Sequence, residues 1–247
     1  MSFRLLLGVL LAVCFLVSLV ASAPARLLAK VLPEEQVYMQ GYKGTLWRGS
    51  AARCMLQTGE GVLHLGAVEW RLRPLSLLLF APRLELASSW GSQRIATELR
   101  LLGARDLDLH DVEANIAADL LRQFLPVGLV GRLSAQLESL VIRDGLPVTG
   151  VGRLMWEKGG WVSPGGPRPL GTYALDLLAG QEDRLLGDIV TVTGRVEASG
   201  TAQLQGRDYS VNILVGGQRL DRELRQALSL VAQPEAESYR IKLDGQL

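Results

Sequence analysis

A period of two constrains this chain more than any other feature. Val196, Ala198, Gly200, Ala202 and Leu204 fall on one side of an extended backbone, and Arg195, Glu197, Ser199, Thr201 and Gln203 on the other. Ile95, Leu99 and Leu101 oppose Arg94, Glu98 and Arg100, and Val68, Trp70 and Leu72 oppose Glu69, Arg71 and Arg73. Tyr173-Leu175-Leu177, Tyr209-Val211-Ile213-Val215 and Tyr239-Ile241-Leu243 repeat the pattern. Such alternation marks strands with one buried and one wet face. No helical segments separate these strands regularly, so the spacing predicts antiparallel meanders rather than βαβ units. The expected class is mostly β: an N-terminal transmembrane helix followed by a curved antiparallel β-sheet domain with a few short helices. Helical pieces are expected over Asp119–Leu125 and Leu220–Val231, and Pro74–Phe80 reads as a helix or a bent loop. The Gly- and Pro-rich stretch Lys158–Pro169 reads as a loop between two strand-rich halves, or else as the tip of a long hairpin.

The second constraint lies at the N-terminus. Leu5 to Ala23 carries no charged residue and is rich in Leu and Val. At ~1.5 Å per residue its length approaches the ~30 Å hydrocarbon core of a bilayer. Ala21-Ser22-Ala23 has the small residues of a signal-cleavage site, but Pro24 hinders cleavage, and the run exceeds the usual ~7–15-residue signal core. Residues 1–24 are therefore read as a retained single-pass anchor, 25–36 as a juxtamembrane segment and 37–247 as the exported β-rich domain. Cys14 lies within the apolar run and Cys54 in the domain, so no disulfide framework is expected.

Composition narrows the function classes. Among 247 residues, 48% are hydrophobic and 21% charged, enough for a packed core. The net charge of +1 offers nothing to nucleic acid. No Gly-x-Ser-x-Gly elbow, P-loop or paired-histidine zinc motif occurs. His64 reads as a surface histidine. Asp106, Asp108 and His110, with Asp111 adjacent, project from one face of an expected strand; they resemble a metal set but read as the solvent face of an amphipathic strand. No catalytic, cofactor-binding or metal-binding residue is assigned, and no cofactor is expected. Trp47 and Trp70 read as core anchors.

Two stretches are distinctive: Gly41-Tyr42-Lys43-Gly44-Thr45-Leu46-Trp47-Arg48-Gly49, and Val68-Glu69-Trp70-Arg71-Leu72-Arg73-Pro74-Leu75-Ser76-Leu77-Leu78. Gly44 and Gly49 bracket what reads as a short strand, and a backbone irregularity at Gly44 would set Trp47 beside Tyr42. With the anchor, the later Gly152-Arg153-Leu154-Met155-Trp156 and the closing Asp244-Gly245-Gln246-Leu247, their order resembles the type II secretion system protein N family. The Gly-Thr-Leu-Trp-x-Gly element is also shared with AsmA-like envelope proteins. The first resemblance implies a non-enzymatic inner-membrane subunit with its C-terminal domain in the periplasm, assisting assembly or stability of the export apparatus. It implies partners among other inner-membrane secretion subunits, with the outer-membrane secretin a further candidate. The second implies a periplasmic lipid-binding or lipid-transfer module, with lipid held in a groove of the sheet.

Overall fold

The computed structural model describes the chain apart from residues 1, 31, 33–36, 59–60, 75, 77–80, 104, 124–127, 164, 181–182, 218–219, 221, 237 and 247; for 2–6, 9, 58, 61, 121–123 and 231 it describes the backbone alone. The chain divides into two compact units, Met1–Trp90 and Gly91–Leu247.

The first unit opens with helix α1, Ser2–Ala21, followed by a 3-10 helix, Ala25–Lys30. Strands β1 (Val37–Gln40), β2 (Lys43–Gly44), β3 (Arg48–Thr58), β4 (Gly61–Leu72) and β5 (Arg83–Trp90) follow. They order as β1-β3-β4-β5, with β2 also pairing β3, and every described pairing is antiparallel. The inward set is the one alternation predicts: Val68 and Trp70 are buried with Ala51 and Cys54, and Leu84 and Leu86 pack against them. Ala25 of the 3-10 helix joins this core, 2% exposed. On the wet face Arg71 and Arg73 both hold Glu85, at 3.2 and 2.8 Å, which lowers its pKa.

The second unit is a longer meander. Its strands are β6 (Gln93–Leu101), β7 (Leu107–Ala117), β8 (Leu129–Arg143), β9 (Leu146–Ser163), β10 (Gly166–Ala179), β11 (Arg184–Gly194), β12 (Glu197–Gln205), β13 (Asp208–Gly216), β14 (Gln233–Glu235) and β15 (Ser238–Gln246). Sheet order follows chain order except that β15 lies between β13 and β14. Helix α2, Arg222–Val231, lies where the Leu220, Leu224, Leu228 stripe predicts it. Leu220 and Leu228 are buried with Val196 and Val215, against Ile213, Tyr239 and Ile241.

A bulge explains why the β7 pattern changes phase. Leu107 and Leu109 are followed by Val112, Ala114 and Ile116, a step of three in the middle. Asp111 takes φ +48°, a conformation Asp tolerates better than most side chains, and the β6–β7 register shifts between Ala96 and Glu98. The extra residue returns the apolar side chains to one face, pairing Leu109 with Leu99 and Ala114 with Ile95.

Several expectations change. Lys158–Pro169 is the end of a long hairpin, the second of the two readings, and not a loop between halves: β9 continues through Ser163 and β10 begins at Gly166, so most of the glycines and prolines sit within its arms. The pairing survives them because the register slips between Pro169 and Tyr173. Asp119–Leu125 forms a 3-10 helix over Ala118–Gln123, with 124 and 125 outside the described residues. Most of Pro74–Phe80 and of the 31–36 segment also lies outside them. Helix α1 occupies the apolar run, and its Leu11, Phe15, Leu16 and Val17 are exposed. Among the described residues, no helix is long and apolar enough to cross a membrane.

Candidate functional site: a helix–sheet junction

The Gly44–Gly49 segment is a tight turn rather than the expected strand. Lys43 pairs with Ser50 and Gly44 with Gly49, and Leu46 and Trp47 form the bend between β2 and β3. The Thr45 N–H donates to the Arg48 carbonyl at 2.9 Å, and the Thr45 hydroxyl accepts from the Arg48 N–H at 3.1 Å. Gly44 has φ +82°, and a Cβ there would come within 2.5 Å of the Arg48 carbonyl oxygen. A Cβ at Gly49 would lie 2.6 Å from the Trp70 ring. Close approach thus requires both glycines, and backbone conformation requires Gly44 as well.

This turn receives the end of α1. A helix leaves its last carbonyls without intrahelical partners, and Pro24 prevents continuation. The Trp47 indole N–H donates to the Val20 carbonyl at 2.8 Å, and the Leu46 N–H donates to the Ala23 carbonyl at 2.8 Å. Pro24 and Thr45 form an isolated antiparallel bridge. The turn is fastened to the sheet from the other side. The Trp70 indole N–H donates to the Leu46 carbonyl at 3.1 Å, and the Leu72 N–H to the Trp47 carbonyl at 2.7 Å. Leu46 and Trp47 therefore direct hydrogen bonds to the helix end and to β4 at once. The two sequence motifs singled out above meet at these atoms.

The tryptophans divide the work differently from the expectation. Trp70 is a core anchor, 5% exposed. Trp47 is half-buried and caps the helix instead. Tyr42 stands edge-on to Trp70 at a centroid distance of 6.4 Å, not beside Trp47, because Leu46 and Trp47 turn away from the β2–β3 pair. Only the tertiary fold brings Val20 to Trp47, so no local pattern could have revealed the cap.

The other residues weighed from sequence are placed apart. The Asp106 carboxylate accepts from the Asp144 N–H at 3.0 Å, Asp108 pairs with Arg143 at 2.8 Å, and His110 is exposed. Among the described residues, no group of three His, Cys, Asp or Glu side chains could hold a metal ion. His64 is exposed and packs against the Trp90 ring at 5.4 Å. Cys14 is exposed on α1; Cys54 is buried, and burial pushes its thiol pKa up, away from nucleophilic use. What the junction supplies is geometry: it fixes the direction in which α1 leaves the sheet.

Fold and junction together define a class: an antiparallel β protein joined to an N-terminal apolar helix through a tryptophan-bearing turn. The family described as type II secretion system (T2SS), protein N matches residues 35–242. The type II secretion system protein N of Aeromonas hydrophila is 28% identical over 255 aligned residues, covering 99% of both chains. The protein of the same name from Vibrio cholerae serotype O1 is 28% identical, covering 97% of both. The chain belongs to the type II secretion system protein N family. No solved structure matches it.

Proposed function

We propose that the chain is a non-enzymatic inner-membrane subunit of a type II secretion system, anchored by α1, with its β-rich domain in the periplasm, where it assists assembly or stability of the export apparatus. The observation that carries this reading is the junction. An uncharged run from Leu5 to Ala23 ends in a turn that bonds Val20 and Ala23 to the sheet. That is the construction a tether needs if the domain is to be held at a set angle to a membrane. Trp47 lies at the last turn of the helix, where the aromatic belt of a membrane interface falls. Its partners on this reading are other inner-membrane secretion subunits, with the secretin a further candidate. The test combines alkaline carbonate extraction of membranes, protease accessibility in spheroplasts, and photocrosslinking scanned across the exported domain. Retention in the carbonate pellet, cleavage only from the periplasmic side, and crosslinks to secretion subunits are expected. Release by carbonate, or normal exoprotein export in a deletion strain with no such crosslink, sinks the reading.

A second reading is favoured by the face of β8–β10. Leu133 stands opposite Trp156 and Trp156 opposite Tyr173; Ala135, Leu154 and Leu175 form the next row. These side chains are half-buried, an apolar surface suited to acyl chains. Native mass spectrometry of gently purified protein tests it; absence of co-purified lipid counts against it.

A further inference from the structure

We propose that the outer edge of β15 pairs with the same edge of a second copy of this chain, antiparallel, about a two-fold axis at Leu243. The inference does not depend on a role in secretion, and it rests on the proposed function only for the membrane anchor that brings copies together. β15 is covered by β13 along Tyr239–Gln246 on one side, but β14 covers only Ser238–Arg240 on the other. Among the described residues, no strand and no backbone hydrogen bond reaches Ile241–Gln246 from that outer side. An open edge of this kind is a template for another strand. Leu243, in its middle, is 52% exposed.

Charge selects both the occupant and the register. Lys242 and Asp244 flank Leu243, both exposed. Across β13 they face Asn212 and Ser210, which carry no charge to meet theirs. Among the described residues neither makes a salt bridge, although Lys242 helps lower the pKa of Glu235. In an antiparallel pair, facing residues share a face, so a two-fold axis must pass through one residue. Centred on Leu243, it sets Lys242 opposite the second copy's Asp244, Asp244 opposite its Lys242, and leucine against leucine. Centred on Lys242 it sets ammonium against ammonium, and centred on Asp244 carboxylate against carboxylate. Opposite charges directly across a pair stabilise it and like charges destabilise it. The Lys242-Leu243-Asp244 order is therefore complementary to itself in the Leu243-centred register. Beyond Ile241 the edge is closed by β14, where Glu235 holds Arg240 at 2.5 Å. The contact is short, so it forms between copies concentrated in one membrane rather than in dilute solution.

The test uses the full chain carrying Cys14→Ser, to remove the exposed native thiol, with Leu243→Cys introduced. Facing side chains across a pair lie ~4.5–5.5 Å apart at Cβ, closest in non-hydrogen-bonded pairs, and a small shift of the two edges brings them to the ~3.5–4.5 Å of a disulfide. Mild oxidation in native membranes is expected to yield a covalent dimer. Val192→Cys, 47% exposed on β11, serves as the control and should yield little. In the Leu243→Cys background, Lys242→Glu or Asp244→Lys alone should each lower the dimer yield, by about tenfold if both charge pairs turn repulsive. The two substitutions together should restore it. All of these positions are exposed, so folding is preserved, and circular dichroism checks it. The proposal is overturned if Leu243→Cys crosslinks no more than Val192→Cys, if the single charge changes leave the yield unaltered, or if the combined variant fails to recover.

Discussion

The Trp47 indole makes one hydrogen bond that joins two elements. Trp47→Phe keeps an aromatic ring and removes the donor with the rest of the pyrrole ring, while the Val20 carbonyl keeps the Ala23 N–H at 3.2 Å. The expected cost is about 1 kcal/mol in urea unfolding of the full chain in detergent. Trp70→Ala should cost more, about 3–5 kcal/mol, because Trp70 fills the core as well as holding Leu46. Gly44→Ala combines a φ of +82° with the Arg48 carbonyl in its way, and should destabilise by about 1–3 kcal/mol. Tyr173 offers a pH readout. Burial pushes its pKa up to about 12 from 10.0, while its hydroxyl donates to the Val196 carbonyl at 2.9 Å. Because the folded value lies above the unfolded one, the stabilisation is fully present below pH 10 and is lost as pH rises toward about 12. Tyr173→Phe should flatten that alkaline fall, and ultraviolet difference titration against the parent should locate the phenol.

Among the elements, α2 and the β9–β10 pair carry separable contributions. Leu228 is 7% exposed beneath α2, and Leu228→Ala should cost about 2–5 kcal/mol by urea unfolding. Across β9 and β10, Arg153 holds Asp176 at 2.5 Å and lowers its pKa. That stabilisation is present above the ordinary carboxylate range and is lost as pH falls through the lowered value. Both side chains are open to solvent, so Asp176→Asn should remove only a small part of the acid limb of a stability–pH curve. The same hairpin shows where sequence misleads at this scale. Gly159, Gly160, Pro167 and Pro169 read as loop, yet Gly160 pairs with Pro169 inside it. Proline lacks one donor and glycine lacks a side chain, but neither forbids a strand whose register can slip. The α2 stripe was legible because its leucines repeat at helical spacing and bury together.

For the whole molecule, the junction makes the tether a matter of geometry rather than attachment alone. A flexible Gly/Ser linker inserted between Ala23 and Pro24 should leave the β3–β4 core folded, as judged by protease resistance. It should break the bonds from Val20 and Ala23 and lower the amount of exoprotein in the culture medium. Export at the parental level would show that attachment suffices. What is local and periodic was legible along the chain: an antiparallel β chain, the apolar N-terminal helix, the inward set led by Val68 and Trp70, and the order of motifs that places the chain in its family. Alternation and hydropathy act between near neighbours, so they can be read along one dimension. The folded arrangement alone makes Trp47 cap α1, lets Asp111 reset the phase of β7, and leaves the outer edge of β15 open among the described residues. Each of these depends on groups distant in the chain arriving at one place, as Val20 and Trp70 do on either side of Leu46 and Trp47. No spacing along the chain encodes such a meeting, because backbone groups are satisfied by whatever partner the fold delivers.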